Sequence, residues 1–336
     1  MKRCTNSERP IACLLSGGLD SSLITALTNN YYKTIHYSQP LETYSIGLAG
    51  SEDLKYARIV ADYLGTKHTE IIVTETEMFD IIPEVIYAIE SYDTTTVRAS
   101  IGNYLLGKYI AKNSDAKVIL NGDGSDEVCG GYIYMNKCPD NIEFDKEIRR
   151  LLKDIHMYDV LRSDKSISSH GLEPRTPFLD RSFVNYYLSI PIHLRNHNND
   201  KTMEKFILRN SFSKKCFTNI EGKPLLPDEI LWRRKEAFSD GVSHKGRSLF
   251  TILQEYISLH LHLEMKPVHK FTPSIDTEKY YYKMLFDTFY PHCSQLLPYF
   301  WMPKYTNATD PSARTLEIYN VDKDTIDNTL TSNNPL

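Results

Sequence analysis

Short apolar runs alternate along the chain with stretches in which apolar residues return every three or four positions. Ile11 to Leu15 is a continuous apolar run, the length of a short buried strand. A glycine-containing turn follows, and the apolar stretch Leu23 to Leu27 places a helix directly after it. Thr43 to Leu48 reads as a second strand. Ser51-Glu52-Asp53 sets a cap residue and two acids ahead of Leu54, Ala57, Ala61 and Leu64, whose helical spacing ends at Gly65. His68 to Thr74 is a third strand, rich in β-branched residues. Met78, Ile82, Val85, Ile86 and Ile89 mark another helix, with Pro83 early in it. A polar loop, Tyr92 to Ser100, precedes a helix from about Ile101 to Lys112, and Lys117 to Leu120 is a fourth strand.

Strand and helix alternating in this way predict an α/β fold, a parallel sheet with helices on both faces. Ligands in such sheets bind at the carboxyl ends of the strands. Three loops therefore converge on one edge: the Ser16–Ser22 turn, the segment after Ile46-Gly47-Leu48, and Asn121–Glu127. Beyond about residue 145 the strand signals fade. Ile148, Leu151, Leu152 and Ile155, then Phe183 to Leu188, then Met203 to Phe212 read as helices. The pattern divides the chain into a loose N-terminus (1–10), an α/β region (11–140), a mostly helical continuation (141–320) and a polar tail (321–336) expected to be disordered.

The turn Ser16-Gly17-Gly18-Leu19-Asp20-Ser21-Ser22 carries the first chemistry. Adjacent glycines let a backbone approach a ligand, and serines at the start of a helix lie where free N–H groups and the dipole favour an anion. The reading is a phosphate cradle, without the Gly-Lys-Ser/Thr of a Walker loop or the three glycines of a dinucleotide fold. An ordinary glycine turn is the alternative. The carboxylate of Asp20 inside the turn favours the cradle, because magnesium can bridge a carboxylate and a phosphate. Asp123-Gly124-Ser125-Asp126-Glu127 packs three more acids at another strand end, without the ligand spacing of an EF-hand. Asp20 and Asp126 together suggest a shared magnesium–pyrophosphate site.

Composition narrows the field. The 336 residues are 41% apolar, enough to bury a core, and the net charge of −4 gives no electrostatic footprint for nucleic acid or an anionic membrane. No apolar run is long enough to span a bilayer, and Met1-Lys2-Arg3-Cys4-Thr5 shows no apolar signal region. The six cysteines form no CxxC pair, and His36, His68, His156, His170 and His193 show no metal-ligand spacing, which points to reduced thiols, a cytoplasmic chain and no zinc.

The cradle resembles the pyrophosphatase-loop (PP-loop) signature of adenylating enzymes. Further segments are similar to the synthetase half of the asparagine synthetases: Ser45-Ile46-Gly47-Leu48 with Asp53-Leu54, Tyr92 to Ser100, Gly122 to Val128 with Gly130-Gly131-Tyr132, Glu173 to Asp180, Lys201 to Lys205, Trp232 to Gly241 and Asn307 to Arg314. They run in order from about residue 11 to 320. The resemblance implies an adenine nucleotide alpha hydrolase-like fold and an aspartate–ammonia ligase. Such an enzyme activates the aspartate side chain with ATP to β-aspartyl-AMP, and ammonia then displaces AMP. It implies that Ser16, Gly17, Gly18, Asp20, Ser21 and Ser22 hold pyrophosphate, that Leu15, Ile46 and Gly122 line the adenosine pocket, and that Asp20 and Asp126 coordinate Mg2+. Thr95, Thr96 and Arg98 would face aspartate, Asp123 would orient the intermediate and ammonia, and Lys235 would meet the α-phosphate, with Arg175 and Asp180 in support. Arg98 and Arg175 as structural ion-pair arginines, and Lys235 as part of a solvated charge run, are the alternatives. Many family members have Ser-Gly-Glu-Gly where this chain has Asn121-Gly122-Asp123-Gly124, whose acid is one methylene shorter. Glutamine-dependent members begin with a glutaminase domain. Here the cradle comes at residue 16, so the expectation is a chain lacking that domain, supplied with free ammonia or by a separate glutaminase subunit, with a homo-oligomer also open. A β-lactam synthetase-like amide closure and a degenerate non-catalytic homologue are the rival readings.

Overall fold

In a computed structural model, described over residues 1–197, 203–244, 246–264 and 272–316, five parallel strands form one sheet in the order β3-β2-β1-β4-β5. The strands are β1 (Ile11–Leu14), β2 (Glu42–Leu48), β3 (Lys67–Val73), β4 (Val118–Leu120) and β5 (Glu173–Arg175). The register pairs Cys13 with Thr43 on one side and with Leu120 on the other. Between them run α1 (Leu19–Thr34), α2 (Glu52–Leu64), α3 (Glu75–Asp80), α4 (Ile82–Ile89), α5 (Thr94–Asn113), α6 (Ser125–Cys129), α7 (Asn141–Asp154) and α8 (Asp159–Ser168). After β5 come α9 (Arg181–Ser189), α10 (Ile192–Arg195), α11 (Phe206–Ser211), α12 (Asp228–Leu231), α13 (Phe238–Gly241), α14 (Leu249–Glu264) and α15 (Ile275–Phe289).

Side chains alternate across the sheet, so β1 serves two cores. Ala12 and Leu14 pack with α4, α5, α14 and α15, and Cys13 and Leu15 pack with α1, α2 and parts of α9, α11 and α12. Helices thus cover both faces. The chain winds from β1 outward to β3 and then returns to place β4 on the other side of β1. The loops after β1 and β4 therefore open side by side, at the switch point where such sheets hold ligands.

Several expectations are corrected. The polar segment from Thr94 is helical, because the Asp93 carboxylate caps α5 by accepting from Thr96 N at 2.9 Å. The helix read from Met78 to Ile89 is two helices, divided at Ile81 ahead of Pro83. Ser51 stands at the cap of α2, yet its buried hydroxyl makes no cap bond. β5 escaped notice because it is three residues long with Pro174 in its middle, which only an edge strand tolerates. It comes from the second region and pairs with β4, so the two regions share one sheet. Within residues 1–10, Arg175 Nη1 donates to Cys4 O at 2.8 Å and to Asn6 O at 3.0 Å. Lys201, Thr202 and the tail 321–336 lie outside the described residues. Among those described, no helix is long and apolar enough to cross a membrane.

Candidate active site

The cradle forms where β1 stops. Leu15 N donates to Tyr44 O at 2.8 Å, and the chain then turns into α1. Gly17 takes φ +71°, and a Cβ there would stand 2.4 Å from Ala57 N on α2, so only glycine fits. The Ser21 hydroxyl accepts from Ser16 N at 3.2 Å and lies 3.0 Å from Ser16 Oγ, which holds the turn closed. Gly18 caps α1 without a side chain, leaving the helix N-terminus open to an anion. Ser16, Gly18, Leu19, Asp20 and Ser21 line the cleft. Gly17, which packs on α2, and Ser22, which is fully buried, are not among the lining residues.

Beside the cradle, α6 brings Asp126 to Asp20. Between them stands Lys205, its Nζ 2.7 Å from both Asp20 oxygens and 2.6 Å from Asp126 Oδ1. Lys235 Nζ donates to Asp126 Oδ2 at 2.6 Å and lies 3.9 Å from Asp20 Oδ2. Ser125 Oγ donates to Asp20 Oδ1 at 2.8 Å. Burial pushes the Asp126 carboxyl up, but Lys205 and Lys235 outweigh it and hold the group well below the usual carboxylate range. Burial likewise pulls both lysines down, and the attraction of Asp126 leaves each above its ordinary value.

The apolar wall holds Leu15, Ile46, Leu106 and Phe238. Gly122 touches the cradle itself, where a Cβ would meet Ser21 N at 2.6 Å and the Asp20 carbonyl carbon at 2.7 Å. Arg233 lies over the Tyr56 ring at 4.0 Å and pairs with Asp53 at 3.1 Å. Burial pushes the Asp53 carboxyl up to about 6 against that arginine.

The opposite end is acidic. The Tyr132 hydroxyl donates to Glu127 Oε1 at 2.5 Å and lies 3.1 Å from Asp159 Oδ2. Arg162 pairs with Asp159, and its Nη2 lies 3.9 Å from Asp123 Oδ1. Burial raises the Asp123 carboxyl despite Arg162. Burial, with Asp159 beside it, holds Glu127 well above the carboxylate range. The cleft thus joins an anion-binding helix end, an apolar wall and a buried acid cluster.

Other assignments move. Thr95 lines the cleft with its hydroxyl buried and without a hydrogen-bond partner. Thr96 instead donates to Asp93 as part of the α5 cap, away from the cavity lining. Arg98 borders the cleft, but four of its N–H bonds go to Glu278 and Asp310 at 2.6–2.8 Å, so it is an ion-pair arginine rather than an open carboxylate receptor. Arg175 pairs with Glu173 and the N-terminal carbonyls, and Asp180 pairs with Arg3; both lie outside the cleft, so neither supports Lys235. The residues that the sequence reading gave no role are Lys205, Glu127, Tyr132, Asp159, Arg162 and Arg233. Lys205, Glu127, Tyr132 and Arg233 fall in segments carrying the family resemblance. Asp159 and Arg162, one turn apart on α8, gave no signal.

A parallel α/β protein with a helix-end anion cradle at the sheet switch point is what fold and cleft define. The chain matches the asparagine synthase family over residues 1–143 and 136–310 and belongs to it. It is 48% identical to the glutamine-hydrolyzing asparagine synthetase of Gallus gallus over 93% of this chain and 55% of that protein. The corresponding protein of Cricetulus griseus is 47% identical over 93% and 55%, and that of Homo sapiens 46% over 95% and 56%. The chain spans about half the length of these relatives. A crystal structure of NAD+ synthetase from Burkholderia pseudomallei is a distant neighbour (14% identity, 66% of this chain and 77% of that one, TM-score 0.26), and the fold assignment rests on strand order alone.

Proposed function

We propose that this chain carries the ATP-dependent amidation of aspartate. A β-carboxylate oxygen of aspartate attacks the α-phosphorus of ATP, forming β-aspartyl-AMP as the bond to pyrophosphate breaks. Ammonia then attacks the acyl carbon, AMP leaves with the acyl C–O bond, and the excess proton is lost to solvent or a site acid, giving asparagine. The observation that carries the reading is the meeting of the α1 N-terminus with Asp20, Asp126, Lys205 and Lys235 at one sheet switch point.

In this reading Ser16, Gly18 and Ser21 hold the leaving pyrophosphate at the helix end, and Leu15, Ile46 and Gly122 contact adenosine. Lys235, whose side chain is 20% exposed, sits at the rim and supplies positive charge at the α-phosphate as the transition state forms. Asp123, with Arg162 near it, orients the intermediate and ammonia, and Thr95 faces aspartate. The donor set of Asp20 and Asp126, two hard carboxylates beside a phosphate cradle, fits Mg2+, which commonly uses one or two carboxylates and takes its other ligands from phosphate and water. Among the described residues no group of three or more His, Cys, Asp or Glu gathers as a self-sufficient metal site. Bound there, the ion would stabilise the charge of the leaving pyrophosphate.

The test is isotopic. With aspartate labelled by 18O in its side-chain carboxylate, one label should appear in AMP. Label appearing in inorganic phosphate, with ADP as the nucleotide product, would contradict adenylation.

A further inference from the structure

The four charges beside the cradle differ in freedom. Lys205 is 2% exposed and holds φ +58°, a conformation unusual for a residue other than glycine. Its Cε passes so near Gly131 that a Cβ there would lie 1.9 Å away. It has no room to swing aside. Lys235 reaches Asp126 from the rim, its side chain 20% exposed.

Three of the four carboxylate oxygens in the quartet accept hydrogen bonds, and the fourth, Asp126 Oδ1, has the Lys205 ammonium 2.6 Å away without a hydrogen bond. Asp20 Oδ1 takes Lys205 and Ser125, and Asp20 Oδ2 takes Lys205. Asp126 Oδ1 faces Lys205, and Asp126 Oδ2 takes Lys235. Two negative charges are matched by two positive ones. A divalent cation entering this set alone adds two positive charges beside two ammonium groups, the Lys205 one buried, with no negative charge left to balance them. The phosphates of a nucleotide in the cradle supply that missing charge.

We propose that Lys205 is a resident counter-cation that keeps divalent metal off the Asp20–Asp126 pair until nucleotide is bound. Metal then enters with the phosphates and not before. This rests on reading the cradle as a nucleotide site. Lys205 acts through the two carboxylates and is a positioning residue. Lys235 is the ammonium that leaves Asp126 for the nucleotide.

Mn2+ serves as the probe. The nucleotide-free chain is titrated with Mn2+, and the free ion is read by electron paramagnetic resonance. The wild-type chain should leave the ion free into the millimolar range. Lys205→Met, nearly the same shape without the charge, should bind one Mn2+ without nucleotide at least about tenfold more tightly than wild type. A merely structural lysine gives no such gain. Equal, weak binding by a folded Lys205→Met protein would overturn the proposal. So would tight binding of one Mn2+ by the nucleotide-free wild-type chain, which needs no variant. Equilibrium dialysis with labelled ATP is run separately. Absence of ATP binding would remove the nucleotide reading, while the Mn2+ result on the nucleotide-free chain still decides whether Lys205 excludes metal.

Discussion

Arg98 on α5 closes a two-point ion pair on Glu278 of α15, Nε to Oε1 at 2.8 Å and Nη2 to Oε2 at 2.6 Å, with both partners at 3% exposure or less. Asp310 completes the clasp from the following loop at 2.7 Å. Burial pulls the guanidinium down, and the two carboxylates together hold it well above its ordinary value. Three distant segments are fixed to one wall of the cleft. Arg98→Ala leaves two buried carboxylates uncompensated and should destabilise the fold by about 3–5 kcal/mol. Arg98→Lys should recover little of that, because an ammonium cannot serve both carboxylates in the plane that the guanidinium does. Urea unfolding checks both. A variant with wild-type stability and a raised Michaelis constant for aspartate alone would return Arg98 to substrate binding.

Asp20→Asn should lower pyrophosphate release about a hundredfold, since a neutral amide weakens both the metal site and the lysine array that stabilise the leaving group. Ser125 can still donate to the remaining oxygen, so the fold should persist. A pyrophosphate assay at saturating Mg2+ reads the effect, and a near-wild-type rate would remove Asp20 from the metal site.

Gly122→Ala pushes a methyl group against Ser21 N and the Asp20 backbone, within the cradle itself. It should weaken ATP binding at least about tenfold and reduce stability by about 1–3 kcal/mol. Dialysis with labelled ATP, alongside thermal unfolding, separates the two effects. Unchanged ATP binding would mean that the cradle does not need this close approach.

Burial pushes the Asp93 carboxyl up from 3.8 to about 6, although it accepts from Thr96 N and from Trp301 N at 2.8 Å. The folded state takes its proton before the unfolded state does. The stabilising contribution is therefore complete below about pH 3.8 and is lost as pH rises through about 6. Asp53 and Asp240, also raised to about 6 by burial, add to the same window. Asp93→Asn should flatten the fall in stability between about pH 3.8 and about pH 6, by up to about 3 kcal/mol. Parallel curves for wild type and variant would contradict the assignment.

The cradle was legible because its signals are local: an apolar run, two glycines, and polar residues at a helix start. Topology alone then brought Asp126 to Asp20, because alternating strands and helices fix which loop ends meet. Lys205 was not legible. It sits in a short irregular segment ahead of α11, where no periodicity points inward, and its partners Asp20 and Asp126 lie far back in the chain. The partners of Arg98 lie 180 and 212 residues further on, so a polar stretch with an arginine looked like a substrate loop when it was a buried clasp. Asp180 failed for a related reason: a carboxylate in a family-like segment says nothing about which side of the sheet it faces.

The central claim is that this cleft adenylates aspartate, and the most direct measurement is pyrophosphate release from ATP with aspartate and ammonium. The account predicts that pyrophosphate and AMP form only when aspartate is present and that asparagine equals AMP in amount. Pyrophosphate release indifferent to aspartate, or aspartate turnover that yields ADP, would contradict it.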